Sequence, residues 1–297
     1  MTLVVGATGA LGTEICRRLA AAGKSFRALV RSTSDPIKKD VLKELGGELL
    51  EGDLKDTTSL GRACRGATAV ITTPTAIGSR QEGDTFESVD LHGQMHLIDA
   101  ARAAKAAHYV FVSVSGNLLK RGQNPLFDAK EAVENHLQRS GVTYTILRPT
   151  LFTEIWFSPH LGFDFANAKA TIYGSGQHKA SYISLHNVAD FAVEALSNPA
   201  ARTTALELGG PEALSQIEVV RMFEEIAGRA FEKQFIPEEA LRARKAAATN
   251  PVEQTFADLI LAAARGDTID MNETFQKFSV RPRSVRECAK ALMSGIA

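Results

Sequence analysis

The feature that most constrains this chain lies in its first twelve residues, in Leu3-Val4-Val5-Gly6-Ala7-Thr8-Gly9-Ala10-Leu11-Gly12. An apolar, β-branched run leads into a turn with glycine at every third position, and the turn opens into an amphipathic stretch from Thr13 to Ala22. Strand, glycine turn and helix in that order suit a pyrophosphate. Small residues let backbone N–H groups approach it closely, and the helix N-terminus adds dipole and donors. Gly12 would let the helix pack tightly on its strand. The same spacing also serves a plain strand–turn–helix that needs positive φ, so the rest of the chain has to decide.

It decides by alternation. Strand patterns recur at Phe26–Val30, Glu48–Asp53, Ala69–Thr73, Tyr109–Val114 and Thr143–Leu147, the last stopped by Arg148-Pro149. Between them lie helical patterns at Pro36–Leu45, Thr57–Cys64, Asp90–Ala107 and Ala129–Ser140. With the first strand, six strands alternating with helices predict an α/β fold, a Rossmann-type doubly wound parallel sheet. After residue 150 the pattern loosens. Short strands are expected near Ala170–Tyr173, Ser181–Ile183 and Ala205–Leu208, and helices at His186–Ser197, Ser215–Gly228, Pro237–Gly266 and Ser284–Met293. No linker separates the two parts. The reading is a dinucleotide-binding core over 1–150 and a small mixed, mainly helical cap over 151–297, packed on the core and partly returning to the sheet around 181–210.

Composition narrows the partners. Lys plus Arg and Asp plus Glu number 34 each, so no global field favours nucleic acid or an anionic membrane. No apolar run approaches the roughly 18 residues of a membrane span, so neither nucleic acid nor membrane is expected as a partner. Cys16, Cys64 and Cys288 are sparse and odd in number, which fits a reducing, cytoplasmic compartment better than a disulfide framework. His92 and His96 have ligand spacing on a helix, but no third ligand is evident, and no metal is expected. Monomer and homodimer both remain open.

The second strand identifies the expected dinucleotide. An acid at its end would bind the ribose 2′-hydroxyl of NAD. Here Arg31 stands in that place, followed by Ser32 and Thr33, and a guanidinium there can bind a 2′-phosphate and stack on adenine. The cofactor expected is NADP(H), with NAD(H) as the weaker alternative. Asp35 before Pro36 reads as a helix cap. Asp53 reads either as an acceptor for the adenine amino group or as a turn cap.

These pieces, with Lys130-Glu131-Ala132-Val133-Glu134, Ser140-Gly141-Val142-Thr143-Tyr144-Thr145-Ile146-Leu147-Arg148-Pro149 and His186-Asn187-Val188-Ala189-Asp190, stand in the order of a known family. The chain resembles the NmrA-like, atypical short-chain dehydrogenases/reductases, in the style of their NAD(P)H:quinone reductases, over residues 1 to about 215. The resemblance implies that Gly6, Thr8, Gly9, Ala10, Leu11, Gly12, Arg31, Asp53, Leu54, Thr73, Pro74, Lys130 and Pro149 line the cofactor. One departure matters. Ordinary short-chain dehydrogenases use Tyr-x-x-x-Lys, in which lysine prepares the tyrosine as an acid. Four residues before Lys130 stands Leu126, and no tyrosine of the chain has a lysine four residues on.

Two functions follow. In one, hydride passes to a small hydrophobic acceptor such as a quinone, which needs little acid help. Lys130 would hold the nicotinamide ribose and stabilise developing charge, and Ser113 and Ser115 would donate to a carbonyl. In the other, the protein binds NADP(H) without turnover and acts through a protein partner. The bland readings are a solvated Lys130 paired with Glu134 and serines that cap a strand end. Phe152, Trp156, Phe157 and Phe163, beyond the last strand, read equally as an acceptor wall or as core under the cap, with Pro237–Gly266 as a lid.

Overall fold

A computed structural model of the chain describes residues 1–79, 81–121 and 124–295; residues 296 and 297 of the expected cap lie outside them. The chain opens as β1 (Thr2–Val5), α1 (Ala10–Ala21), β2 (Phe26–Val30), α2 (Pro36–Glu44), β3 (Glu48–Glu51), α3 (Thr57–Cys64) and β4 (Ala69–Thr72). A wide π-helical segment, Phe86–Gly93, then runs into α4 (Gln94–Ala103), where a single helix from Asp90 was expected. β5 (His108–Val112), α5 (Gly116–Leu119), α6 (Pro125–Arg139) and β6 (Tyr144–Pro149) complete the alternation.

The sheet has seven strands. The seventh is Thr204–Leu208, which pairs with β6 and carries that strand through Arg148 and Pro149, where a stop was expected. Proline is tolerated there because its register partner is Leu208, the last residue of the seventh strand. The spatial order is Thr204–Leu208, β6, β5, β4, β1, β2, β3, and all neighbours are parallel. The order reverses at β1, between β4 and β2. Open α/β sheets bind ligands at the carboxyl ends of the strands beside such a reversal.

Alternation along each strand feeds two cores. Val4, Ala28 and Ile71 project into the layer under α1 and the helix Leu185–Ala195, with Ile15, Phe26 and Phe191. Leu3, Val5, Tyr109 and Phe111 project into the opposite layer, under α4 and α6. The C-terminal region thus supplies a helix to the main sandwich as well as a cap. Ser181–Ile183 does not join the sheet: Ile183 makes a single bridge to Phe152, and Lys179–Ala180 pairs with Leu214–Ser215. A third core, Leu151, Phe157, Phe163, Tyr182, Val219, Phe223 and Val285, lies within the cap. The expected helix Pro237–Gly266 is two, Glu238–Ala246 and Pro251–Arg265, because Asn250 caps a new start ahead of Pro251. A strand, Glu232–Ile236, precedes them unforeseen.

α1 and the helix Leu185–Ala195 are also tied by charge. Glu14 Oε1 lies 2.5 Å from Arg18 Nη1 and 2.7 Å from His186 Nδ1, and Arg18 Nε donates to Asp190 at 2.5 Å. The hydrogen bond from His186 holds the Glu14 carboxyl below its usual range, against the cost of burial. A depressed folded-state pKa gives stability that is complete above the unfolded value, about 4.3, and fades as pH falls through the folded one. Thermal melts of the native chain and Glu14→Gln should therefore differ at pH 7 and converge toward pH 3.

Candidate functional site

Gly6 follows β1 with φ +81°, and a Cβ there would lie 2.6 Å from Thr73 Oγ1, so glycine lets the turn press against the end of β4. A Cβ on Gly12 would lie 2.1 Å from the Gly6 carbonyl oxygen. The first turn of α1 therefore sits directly on the loop backbone. Gly9 is the N-cap and supplies no side-chain acceptor; its own N–H donates to Gly6 O, and Thr13 Oγ1 donates to Ala7 O. Among the described residues no backbone acceptor is found for the N–H groups of Ala10, Leu11 and Gly12. A helix N-terminus with unspent amides and no acid in its first turn is suited to an anion. A diphosphate fits this cradle.

Beside it lies a cleft lined by Gly6, Thr8, Arg31, Asp53, Leu54 and Pro74, where β1, β2, β3 and β4 end. Arg31 thus stands where the sequence put it, but it is neither free nor a bare surface residue. Its Nη1 donates to Asp84 Oδ2 at 2.6 Å, and Asp84 also accepts from Lys55 Nζ and Ser79 Oγ, each at 2.6 Å. Asp84 lies 53 residues from Arg31, so no local pattern announces it. Asp53 lines the cleft, and its Oδ1 accepts from Lys55 N at 2.8 Å, which is the expected turn cap. Asp35 caps α2 through Ile37 N.

Lys130 is not the solvated lysine that a pairing with Glu134 would make it. α6 starts at Pro125, capped by Asn124 and four residues earlier than expected, which carries Lys130 into the helix body. Its side chain is 4% exposed, its Nζ lies 3.3 Å from Asp90 Oδ1, and it stands 5.0 Å from the centre of the Phe111 ring. Asp90 is wholly buried in the π-helical segment; its Oδ2 accepts from Ala76 N at 2.7 Å, and its Oδ1 takes no hydrogen bond among the described residues. One carboxylate therefore fixes both the loop after β4 and the ammonium of Lys130. Gln94 ties the same loop to the end of β4, accepting from Thr72 Oγ1 at 3.0 Å and donating from Nε2 to Pro74 O at 3.5 Å. Ser113 lies two residues beyond Phe111, hence on the same side of the sheet, and its buried hydroxyl has no partner among the described residues. Lys130 and Ser113 offer unspent donors on one face.

Other expectations change. Ser115 is fully buried and caps α5, accepting from Asn117 N at 3.2 Å, so its hydroxyl serves the backbone. Pro149 lies within β6. Arg148 spans Glu134 and Glu207 at 2.5 and 3.0 Å, and Glu207 accepts from Gly116 N. These bonds outweigh burial and raise the arginine pKa further; the residue is a clamp across α6, β6 and the seventh strand. Trp156, Phe157 and Phe163 line one small cavity with Tyr173 and Tyr182, and Phe152 stands apart from it. Phe157 is 3% exposed and packs with Phe163, Tyr182 and Phe223 in the cap core. Phe152 leans on the sheet core, and Trp156 packs between the cap core and the cluster of Tyr173 and Leu241. A groove of about 450 Å³ opens nearby, lined by His160, Arg244, Val252, Phe256 and Ile260. Burial pushes the phenols of Tyr109 and Tyr182 well up, and Tyr173 donates to Leu161 O, so none of these three is poised as an acid. Among the described residues no group of three or more His, Cys, Asp or Glu is placed to hold a metal, and no helix is long and apolar enough to cross a membrane.

The NmrA-like family model matches residues 1–274. The photosystem II assembly factor Ycf39 of Trieres chinensis is 31% identical over 79% of this chain and 72% of its own length. The isoflavone reductase homolog IRL of Zea mays is 32% identical over 80% and 78%. Among solved structures, the NADPH complex of the quinone oxidoreductase QOR2 of Escherichia coli superposes with a TM-score of 0.77 over 99% of this chain and 100% of its own, at 21% identity.

Proposed function

The chain belongs to the NmrA-like family, and from that premise we propose that it is an NADPH-dependent reductase of a small hydrophobic acceptor, such as a quinone or another conjugated carbonyl. The observation that carries this reading is the α1 N-terminus, with its unspent amides, beside a cleft whose cation is Arg31. When bound, the dinucleotide supplies hydride. The amides of residues 10–12 seat the diphosphate, and Arg31 reads the 2′-phosphate. Lys130, held by Asp90 against Phe111, binds the nicotinamide ribose and steadies negative charge that develops on the acceptor. Ser113 donates to the acceptor carbonyl. The region from residue 151 onward supplies the acceptor side, through Trp156 and the groove beside it. A quinone suits a site without a tyrosine acid, because its reduced form takes protons from water.

The similarity to Ycf39 assembly factors favours a second reading, in which the protein binds NADP(H) without turnover and acts through a protein partner. One assay separates the two. Protein, NADPH and a panel of simple quinones are mixed, and the absorbance of the reduced cofactor is followed. Steady oxidation above a protein-free control is expected; tight NADPH binding with flat traces would favour the second reading. Arg31→Ala tests the cofactor directly. Losing a charge-assisted pair costs about 1.5–3 kcal/mol, so NADPH should bind about 10- to 100-fold more weakly while NADH changes little. Equal losses would remove phosphate recognition from Arg31.

A further inference from the structure

The cofactor reading, on which this inference rests, meets an anion already placed on the phosphate-reading arginine. Asp84 enters the cleft on the loop after β4 and lines it together with Arg31 and Ser34. Its side chain is 2% exposed, whereas Arg31 and Lys55 keep 36% and 31% of theirs open. Both carboxylate oxygens are engaged: Oδ1 by Lys55, Oδ2 by Arg31 and Ser79, each at 2.6 Å. Thr33 donates to Gln81 at 2.8 Å, and Lys55 also reaches Glu82 O at 3.4 Å, so the loop is fastened to the ends of both β2 and β3. Two cations and one carboxylate leave one net positive charge where a sequence reading counts Arg31 as wholly available.

We propose that Asp84 is a specificity-determining residue of the cofactor site, tempering the preference for a 2′-phosphorylated dinucleotide over its unphosphorylated counterpart. A phosphate monoester must share Arg31 with a fixed negative charge a few ångströms away. A ribose 2′-hydroxyl meets no such opposition and can itself donate to a carboxylate. The charge is permanent near neutral pH: burial alone would raise the Asp84 pKa, but the bonds from Lys55, Ser79 and Arg31 prevail and hold it below the usual range. Lys55 moderates the effect by taking part of the carboxylate's charge away from Arg31. The sequence places an arginine where NADP specificity is read, and the fold brings in a counterweight from the loop after β4.

The test uses the full chain and calorimetric titration with NADPH and NADH. Asp84→Asn is expected to tighten NADPH by about tenfold, the scale of removing one nearby unit charge in a half-screened site, with NADH unchanged or weaker. The ratio of NADH to NADPH dissociation constants therefore rises. Lys55→Met leaves the whole carboxylate charge on Arg31 and should move the ratio the other way. Opposite shifts in two variants of one cluster do not arise from loss of folding. An Asp84→Asn ratio that is unchanged or lower, while the native chain binds both nucleotides, overturns this inference and leaves the cofactor reading intact. A native chain that binds neither nucleotide overturns both.

Discussion

Lys130→Met is expected to lower the stability of the chain by about 3–5 kcal/mol, the range for breaking a buried ion pair from one side. Methionine keeps most of the volume and the contact with Phe111, so packing is not the main loss. The damage comes from Asp90, which is wholly buried and has no hydrogen bond at Oδ1 among the described residues. Without the ammonium at 3.3 Å, that buried carboxylate is left with no counter-charge. The double variant Asp90→Asn/Lys130→Met should recover most of the stability, because an asparagine carbonyl still accepts from Ala76 N and no buried charge remains. Urea midpoints of the three chains make the comparison. A single variant as stable as the native chain would mean that the pair contributes nothing. The recovered double variant is also the better probe of function, since it is folded and lacks only the ammonium and the carboxylate charge that faces it; reductase activity equal to native would remove Lys130 from the chemistry.

That pair also marks where sequence reading stops. β1, β2, β4 and β5 are short apolar runs between turn signals, and strands buried on both faces are written that way. The glycine turn is legible because its requirement is local: Gly6, Gly9 and Gly12 answer to one another within seven residues. Asn124-Pro125 is a cap signal of the same local kind, and reading it would have started α6 in the right place. Glu232–Ile236 gave no such signal, since four of its five residues are exposed and charge interrupts the apolar pattern. Asp84 and Asp90 are the site residues that the sequence does not disclose. Each acts through a partner supplied by another strand end or helix, and nothing in their own neighbourhood distinguishes them from surface acids. Arg148 shows the converse: along the sequence it reads as punctuation before Pro149, whereas its two carboxylate partners make it a clamp.

Gly12→Ala is expected to weaken NADPH binding by about a hundredfold, equivalent to about 2.7 kcal/mol. The new methyl would meet the Gly6 carbonyl oxygen at 2.1 Å, the Gly6 carbonyl carbon at 2.7 Å and Ala7 Cα at 2.9 Å. All three are backbone atoms of the turn, so no side-chain rotation relieves them. Either α1 withdraws from β1 or the turn rotates, and both movements take the amides of residues 10–12 away from the anion they would hold. Overpacking of this kind costs about 1–3 kcal/mol in stability, which calorimetric melting reports separately from binding. Gly9→Ala is the internal comparison. Its Cβ would approach only the Gly6 carbonyl, at 3.2 Å, and Gly9 is not in the positive-φ region, so a shift of a few tenths of an ångström accommodates it. NADPH affinity should therefore fall far less for Gly9→Ala than for Gly12→Ala. Equal losses would mean that the glycines serve flexibility along the whole loop, and the close approach of α1 to the turn would no longer explain the cradle.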